Sequence, residues 1–405
     1  MNFNVEFPDL QPARLAIKLS KDGERSVRSG HPWVFSNSIE KVNKKGEPGD
    51  LAIIFGGKSN EVMGVGLYDP ASPIRIKMLH ASGPATINSE FFQKKIKAAH
   101  KQRASLLQTA TNSYRLLYGE NDGLPGFIAD VYNDVLVIKL YSEIWLPYLE
   151  DILSHLIEVS GAKTAVLRLN RKLIKGNTYG FVDGTLVYGV LEDENVHFVE
   201  HGVNFSANVI HGHKTGYFLD HRHNRKRVGE LSSGKSVLDV FSYAGGFSVH
   251  ALAGGAKEVT SIDISKQALE VAKYNAGLNS FGGVHHVIAG DAFDILERLI
   301  SEGKLYDVVV IDPPSFAKSA KEVHSAKKKY AELARLGSQL VAEKGILVLA
   351  SCSSRVIADE FFEINEKEIR KIGRPFKLID KTFHDVDHPI SFLEGAYLKT
   401  AYYRF

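Results

Sequence analysis

The sequence predicts an α/β protein. Its C-terminal half reads as a parallel sheet with helices on both faces, preceded by a small β domain and a central α+β domain. Three observations carry this. SVLDVFSYAGGF (236–247) is a strand, a small-residue turn and the start of a helix, the opening unit of a nucleotide-binding type of sheet. Strands and helices then alternate to about residue 372, and such repeated βα units give a parallel sheet. Before residue 78, short strands are separated by glycine, proline and aspartate turns, which points to a barrel or small sandwich.

The N-terminal strands are expected at 15–20, 51–56, 62–68 and 74–79. Between the first two lies RSVRSGHPWVFSNSI (25–39), where Arg25, Arg28 and His31 stand beside Trp33 and Phe35. That set can hold RNA phosphates and stack a base, and the two aromatics can equally fill a small core. A helix is expected over 91–107, with Lys94, Lys95, Lys97, Lys101 and Arg103 and no acid. It is either a solvated face or a phosphate contact. Strand, glycine-proline loop, strand and a hairpin turn at Asn133-Asp134 follow over 114–141, then a helix at 144–160 and a strand at 164–170.

Residues 195–209 read as two strands, and a helix rich in basic residues is expected from Asp220, with Arg222, Arg225, Lys226 and Arg227 close together. The βα units then place strands at 236–241, 258–263, 286–288, 307–311 and 345–351 and helices at 267–279, 292–301, 322–341 and 358–372. Two last strands, 376–383 and 397–405, are free to pair as a hairpin.

Composition narrows the function classes. A chain of 405 residues is long for one core. The net charge of +3 gives no global basic field, so any nucleic-acid surface must be local. Cys352 is the one cysteine, which excludes an internal disulfide and a cysteine-based metal site and fits a reducing, cytoplasmic setting. No signal peptide and no membrane span are expected, since the start lacks an apolar region and no apolar run reaches spanning length. No metal is expected: the histidines of 211–223 have no supporting carboxylates beyond Asp220.

In an open α/β sheet the ligand sits beyond the carboxyl ends of the strands. Those ends carry Asp239, Phe241, Ser242 and Tyr243, then Asp263, Asp291, Asp312 with Pro313 and Pro314, and Cys352. Asp263, at the end of the second strand, is placed to accept ribose hydroxyls or to cap a helix, and Asp291 to bond an adenine amine or to cap the next. The turn lacks both GxGxxG and a Walker lysine, which favours a ligand without phosphate.

Eight motifs sharpen the reading: GHPWVF (30–35), YGENDGLPG (118–126), GYFLDHRHNR (216–225), VLDVFSYAGGF (237–247), DISKQALEVAKYNAGLN (263–279), DPPSF (312–316), SCSS (351–354) and DHP (387–389). With these the chain resembles class I S-adenosylmethionine-dependent methyltransferases, and more closely the large-subunit ribosomal RNA cytosine-C5 methyltransferases with an N-terminal PUA domain. The resemblance implies a PUA-like β-barrel (1–78), a linking α+β domain (79–192) and a Rossmann-like methyltransferase domain (193–405). It implies S-adenosyl-L-methionine bordered by Phe218, Asp239, Phe241, Ser242, Tyr243, Gly245, Asp263, Ile264, Asp291, Ala292 and Asp312, with 217–225 as a lid. His221 departs from the family, which often has Gln there.

For this family the implied reaction begins with a Cys352 thiolate adding to C6 of cytosine, which makes C5 nucleophilic toward the methyl group. Asp312 bonds the N3 edge, Pro313 and Pro314 stiffen its loop, and Phe316 stacks on the base. Arg25, Arg28, Trp33, Arg222, Arg225 and His388 join them as expected RNA contacts, with the 94–103 helix, Lys318–Lys329 and Glu394 alongside. The partner expected is ribosomal RNA, with no membrane and with a homodimer left open. Two alternatives stay open: methylation of an exocyclic amine by the DPP loop, and an inactive RNA-binding module.

Overall fold

The structure, a computed structural model, describes residues 1–57 and 61–405 and divides into two compact units. The first comprises Met1–Phe198, Ser206–Leu219 and Val386–Phe392; the second comprises Val199–Phe205, Asp220–Asp385 and Leu393–Phe405.

The first unit holds two sheets. A six-stranded sheet runs in the order Trp33–Phe35, Ile74–His80, Val62–Tyr68, Leu51–Phe55, Arg14–Leu19, Ile39–Val42. Its two edge strands are joined by the short turn Ser36–Ser38, so the sheet must curl to bring its edges together. Alternation sets its core: Leu15, Ile17, Ala52 and Ile54 point inward along their strands. A helix that the sequence reading left out, Lys21–Arg28, is started by the Ser20 hydroxyl, which accepts from the Gly23 amide. A five-stranded sheet follows, in the order Thr185–Tyr188, Thr164–Leu169, Val135–Leu140, Phe127–Tyr132, Ser113–Tyr118. It packs with Phe92, Ile96, Trp145 and Leu153 from its helices. The helix expected over 144–160 begins only at Leu149; Pro147 lies in a preceding 3-10 turn, Glu143–Tyr148.

The second unit is the doubly wound sheet. Its strands are β1 (Ser236–Val240), β2 (Glu258–Asp263), β3 (Val284–Ala289), β4 (Tyr306–Ile311), β5 (Val341–Ser351), β6 (Lys377–Thr382) and β7 (Lys399–Arg404). They lie in the order β3-β2-β1-β4-β5-β7-β6. The first five are parallel, and β7 runs antiparallel between β5 and β6. The buried strands read as near-continuous apolar runs, as strands covered on both faces must. Val240, Ile311, Leu347 and Tyr403 pack with Leu333 and Phe361 from the helices Val323–Gln339 and Ala358–Lys371. The order reverses between β1 and β4, which opens the crevice where a ligand sits in this fold.

Candidate active site

The crevice is built by the turn after β1. Phe241 and Tyr243 both take positive φ, 65° and 47°, a conformation that is costly for side-chain-bearing residues. Hydrogen bonds hold this turn: the Ser242 amide donates to Ile262 O and the Tyr243 amide to Asp263 Oδ2 at 2.9 Å. Gly245, at φ 77°, also admits the helix Lys266–Gly277: a Cβ there would stand 2.8 Å from the Ala272 Cβ. Asn275 completes the fastening by donating to Ala244 O at 2.9 Å.

Asp239 sits under the turn, buried, with Oδ2 accepting from the Ser248 amide at 3.0 Å and its hydroxyl at 2.6 Å. Burial pushes its pKa up to about 7; the Ser248 bonds oppose this, and the charges of Asp312 and Asp263 reinforce it. Asp239 Oδ1 and Ser242 Oγ are both buried and have no hydrogen-bond partner among the described residues. Buried polar atoms without partners are rare, and two at one strand edge leave capacity for a polar ligand.

Asp263 accepts from the Tyr243 and Ser265 amides, while the cap of the helix Lys266–Gly277 is Ser265. Each of its oxygens therefore keeps a lone pair. Asp291 does cap its helix, Ala292–Ser301, with Oδ1 accepting from Phe293 and Asp294. Ile264 is 73% exposed, high for an aliphatic side chain, whereas Ala292 is buried.

Across the crevice, Asp312 opens the loop after β4. His221 Nε2 lies 3.3 Å from its Oδ1, and His221 Nδ1 is 3.2 Å from Asn224 Nδ2. Burial disfavours charge on His221, but the Asp312 carboxylate outweighs it and raises the His221 pKa. Cys352, just past β5, has its Sγ 3.8 Å from Pro313 O. Burial pushes the thiol up to about 12, helped by the charges of Asp312 and Asp220. Pro313 is buried and Pro314 exposed. Phe316 packs on Tyr330, with ring centroids 5.2 Å apart, under Lys329 at 5.0 Å.

Thus Asp239, Phe241, Ser242, Tyr243, Asp263, Asp312 and Cys352 gather on one sheet edge. Other expected contacts do not join them. Arg222 and Arg225, expected to meet RNA, are buried: Arg225 forms a double hydrogen bond with Glu200 at 2.7 Å, and Arg222 lies 3.2 Å from Asp385. His388 is an interior residue of the first unit, on Asp387 at 2.8 Å and against Tyr118. Arg103, expected on a phosphate-facing helix, is fully buried on Asp122. Trp33 is partly buried, donating to Glu120 at 2.9 Å and packing on Phe392. Arg25 and Arg28 are exposed, and Arg25 also pairs with Asp22; Phe218 is exposed within the first unit. Lys327, in the basic segment after the DPP loop, is paired with Glu360 at 2.8 Å. The sequence reading missed Ser248, Asn224 and Lys399. Lys399 had a signal, as a cation opening a last strand whose next four residues, Thr400 to Tyr403, carry no charge.

A family profile for S-adenosylmethionine-dependent methyltransferases matches residues 115–403. The chain belongs to this family. A PUA-like domain profile matches residues 17–81 as well. The methyltransferase is 40% identical over 402 residues to a "Ribosomal RNA large subunit methyltransferase" of Deinococcus radiodurans, covering 98% of both chains. It is 34% identical to a "Ribosomal RNA large subunit methyltransferase I" of Tolumonas auensis, covering 95% of this chain and 97% of the other. Its fold is that of SMU.776 crystallised with SAH: TM-score 0.81 at 22% identity, covering 97% of this chain and 100% of that one. The cofactor of this family is S-adenosylmethionine, and the two unpartnered buried atoms at β1 fit a ligand rich in polar groups.

Proposed function

We propose that this methyltransferase forms 5-methylcytosine in large-subunit ribosomal RNA, acting in the cytoplasm, with Cys352 as nucleophile. The observation that carries the reading is the thiol of Cys352 lying against the carbonyl of Pro313, beside the Asp312 carboxylate. Cytosine C5 chemistry needs a thiol and an acid at one base, whereas exocyclic-amine methylation needs no thiol. The names of the two relatives support the RNA class.

Asp239, Phe241, Ser242, Tyr243, Asp263, Ile264, Asp291 and Ala292 would hold S-adenosylmethionine, which supplies an electrophilic methyl group. Cys352, as thiolate, bonds to C6 and releases the C5=C6 electron pair to C5. Asp312 holds the N3 and amine edge and steadies the charge that develops there. With the methyl group on C5, water takes the C5 proton, the C–H pair restores the C5=C6 bond, and the S–C6 pair leaves with Cys352 as thiolate. The PUA-like part (1–78), with Arg25 and Arg28, and the α+β part (79–192) would add RNA surface.

The test is nucleoside mass analysis of ribosomal RNA treated with the purified protein and with Cys352→Ala. The expected product is 5-methylcytidine, with transfer lost in the variant by at least a thousandfold, the order expected when a covalent nucleophile is removed. An amine-methylated product made equally by both proteins would overturn the reading. So would a failure to bind S-adenosylmethionine in calorimetry.

A further inference from the structure

Lys399 is a buried lysine that the reaction as described does not use. It opens β7, and in the antiparallel pairing with β5 it stands opposite Ser351, the residue before Cys352. Its side chain is 1% exposed, so the chain folds at the cost of burying an ammonium group or its neutral amine. Its Nζ donates to Ser353 O, the carbonyl just past Cys352, and to Tyr397 O at 3.0 Å. Two of the nitrogen's tetrahedral positions are thereby spoken for. The remaining one, a lone pair or a third N–H, has no hydrogen-bond partner among the described residues. A lysine serving only to close a strand would be replaced by an apolar residue without loss. This one instead grips the turn that carries the thiol.

We infer that Lys399 is the positioning residue for Cys352: its ammonium group holds the turn that carries the sulfur and favours the thiolate by its charge. The inference rests on the nucleophilic role proposed for Cys352. The groups facing the thiol are Asp312 and Asp220, which oppose its ionisation, Tyr330, which couples to it, and Lys399, which favours it. His221 stands on Asp312. Among these groups of the described residues, Lys399 is the cation that favours the thiolate. Burial pulls Lys399 down to about 8, while the Cys352 charge acts the other way, so at pH 7 it is chiefly ammonium.

The chain has one cysteine, so alkylation of the intact protein by iodoacetamide reports on Cys352 alone. In the expected result, the rate at pH 7 falls about tenfold in Lys399→Met, and Lys399→Arg, which keeps the charge, restores much of it. Calorimetry with S-adenosylmethionine shows that the variants retain their fold. The reciprocal measurement leaves Lys399 in place: in Cys352→Ser, the Lys399 midpoint, read by carbon-labelled lysine resonances, moves lower as the coupled charge is lost. Unchanged alkylation in Lys399→Met, or an unchanged Lys399 midpoint in Cys352→Ser, overturns the inference. Either result leaves the nucleophile reading standing if Cys352→Ala is inactive. Full activity of Cys352→Ala would remove the nucleophile reading while leaving the measured coupling intact.

Discussion

At the scale of single residues, the crevice stores electrostatic cost. Asp239 has a folded-state pKa near 7 because burial penalises its charge. Its unfolded value lies near 4, so the folded protein binds the extra proton between those two values. Stability of the cofactor-free protein should therefore be complete below about pH 4 as far as this group is concerned, and should decline as pH rises through 7. The loss is on the order of a few kcal/mol. Asp239→Asn, which mimics the protonated form, should flatten that decline and be the more stable protein at pH 8. Urea midpoints at pH 5 and pH 8 would check it; parallel declines in both proteins would show that another group is responsible. The strand-end acids were legible because an apolar run of fixed length places its last residues without knowledge of any partner. Arg103, Arg222, Arg225 and His388 were not, because their partners Asp122, Glu200 and Asp387 are chosen by the fold. A cation's letter says nothing about which carboxylate will bury it.

Among the elements, the helix Arg222–Glu230 shows the same limit most clearly. Its composition reads as an exposed basic face, yet Glu200 draws Arg225, and with it His250, into the interior. Burial alone would raise the Glu200 pKa, but the Arg225 and His250 partners overwhelm it and hold the carboxyl well below the usual carboxylate range. A depressed carboxyl contributes stability that is present above its unfolded pKa and is lost as pH falls through the folded one. Glu200→Gln leaves buried cations without a counter-charge and should cost about 3–5 kcal/mol at pH 7, with a smaller difference at pH 3. Thermal melts at the two pH values decide it. The elements themselves were largely legible. The strand order was not written in the sequence, nor was the start of β5 at Val341, four residues before the expected Gly345, because Lys344 adopts a positive φ that no local pattern announces.

For the whole molecule, the modest net charge means that RNA affinity must come from a few placed cations. In the segment after the DPP loop, Lys321 and Lys328 are exposed, while Lys327 is occupied by Glu360. Replacing Lys321 and Lys328 by alanine should lower the slope of log affinity against log salt by up to about 2, and replacing Lys327 should leave the slope unchanged. Equal slopes in all three proteins would exclude this segment from the RNA surface. The division into units has a consequence for synthesis. The first unit includes Val386–Phe392, where Asp387 accepts from the Arg115 amide at 2.9 Å and from the Arg103 guanidinium at 3.2 Å. A chain emerging from the ribosome has made its N-terminal sheets long before residue 387 exists. Until then Arg103 has Asp122 but lacks its last acceptor, so the nascent N-terminal half waits, short of its final clasp, for a residue made 284 positions later.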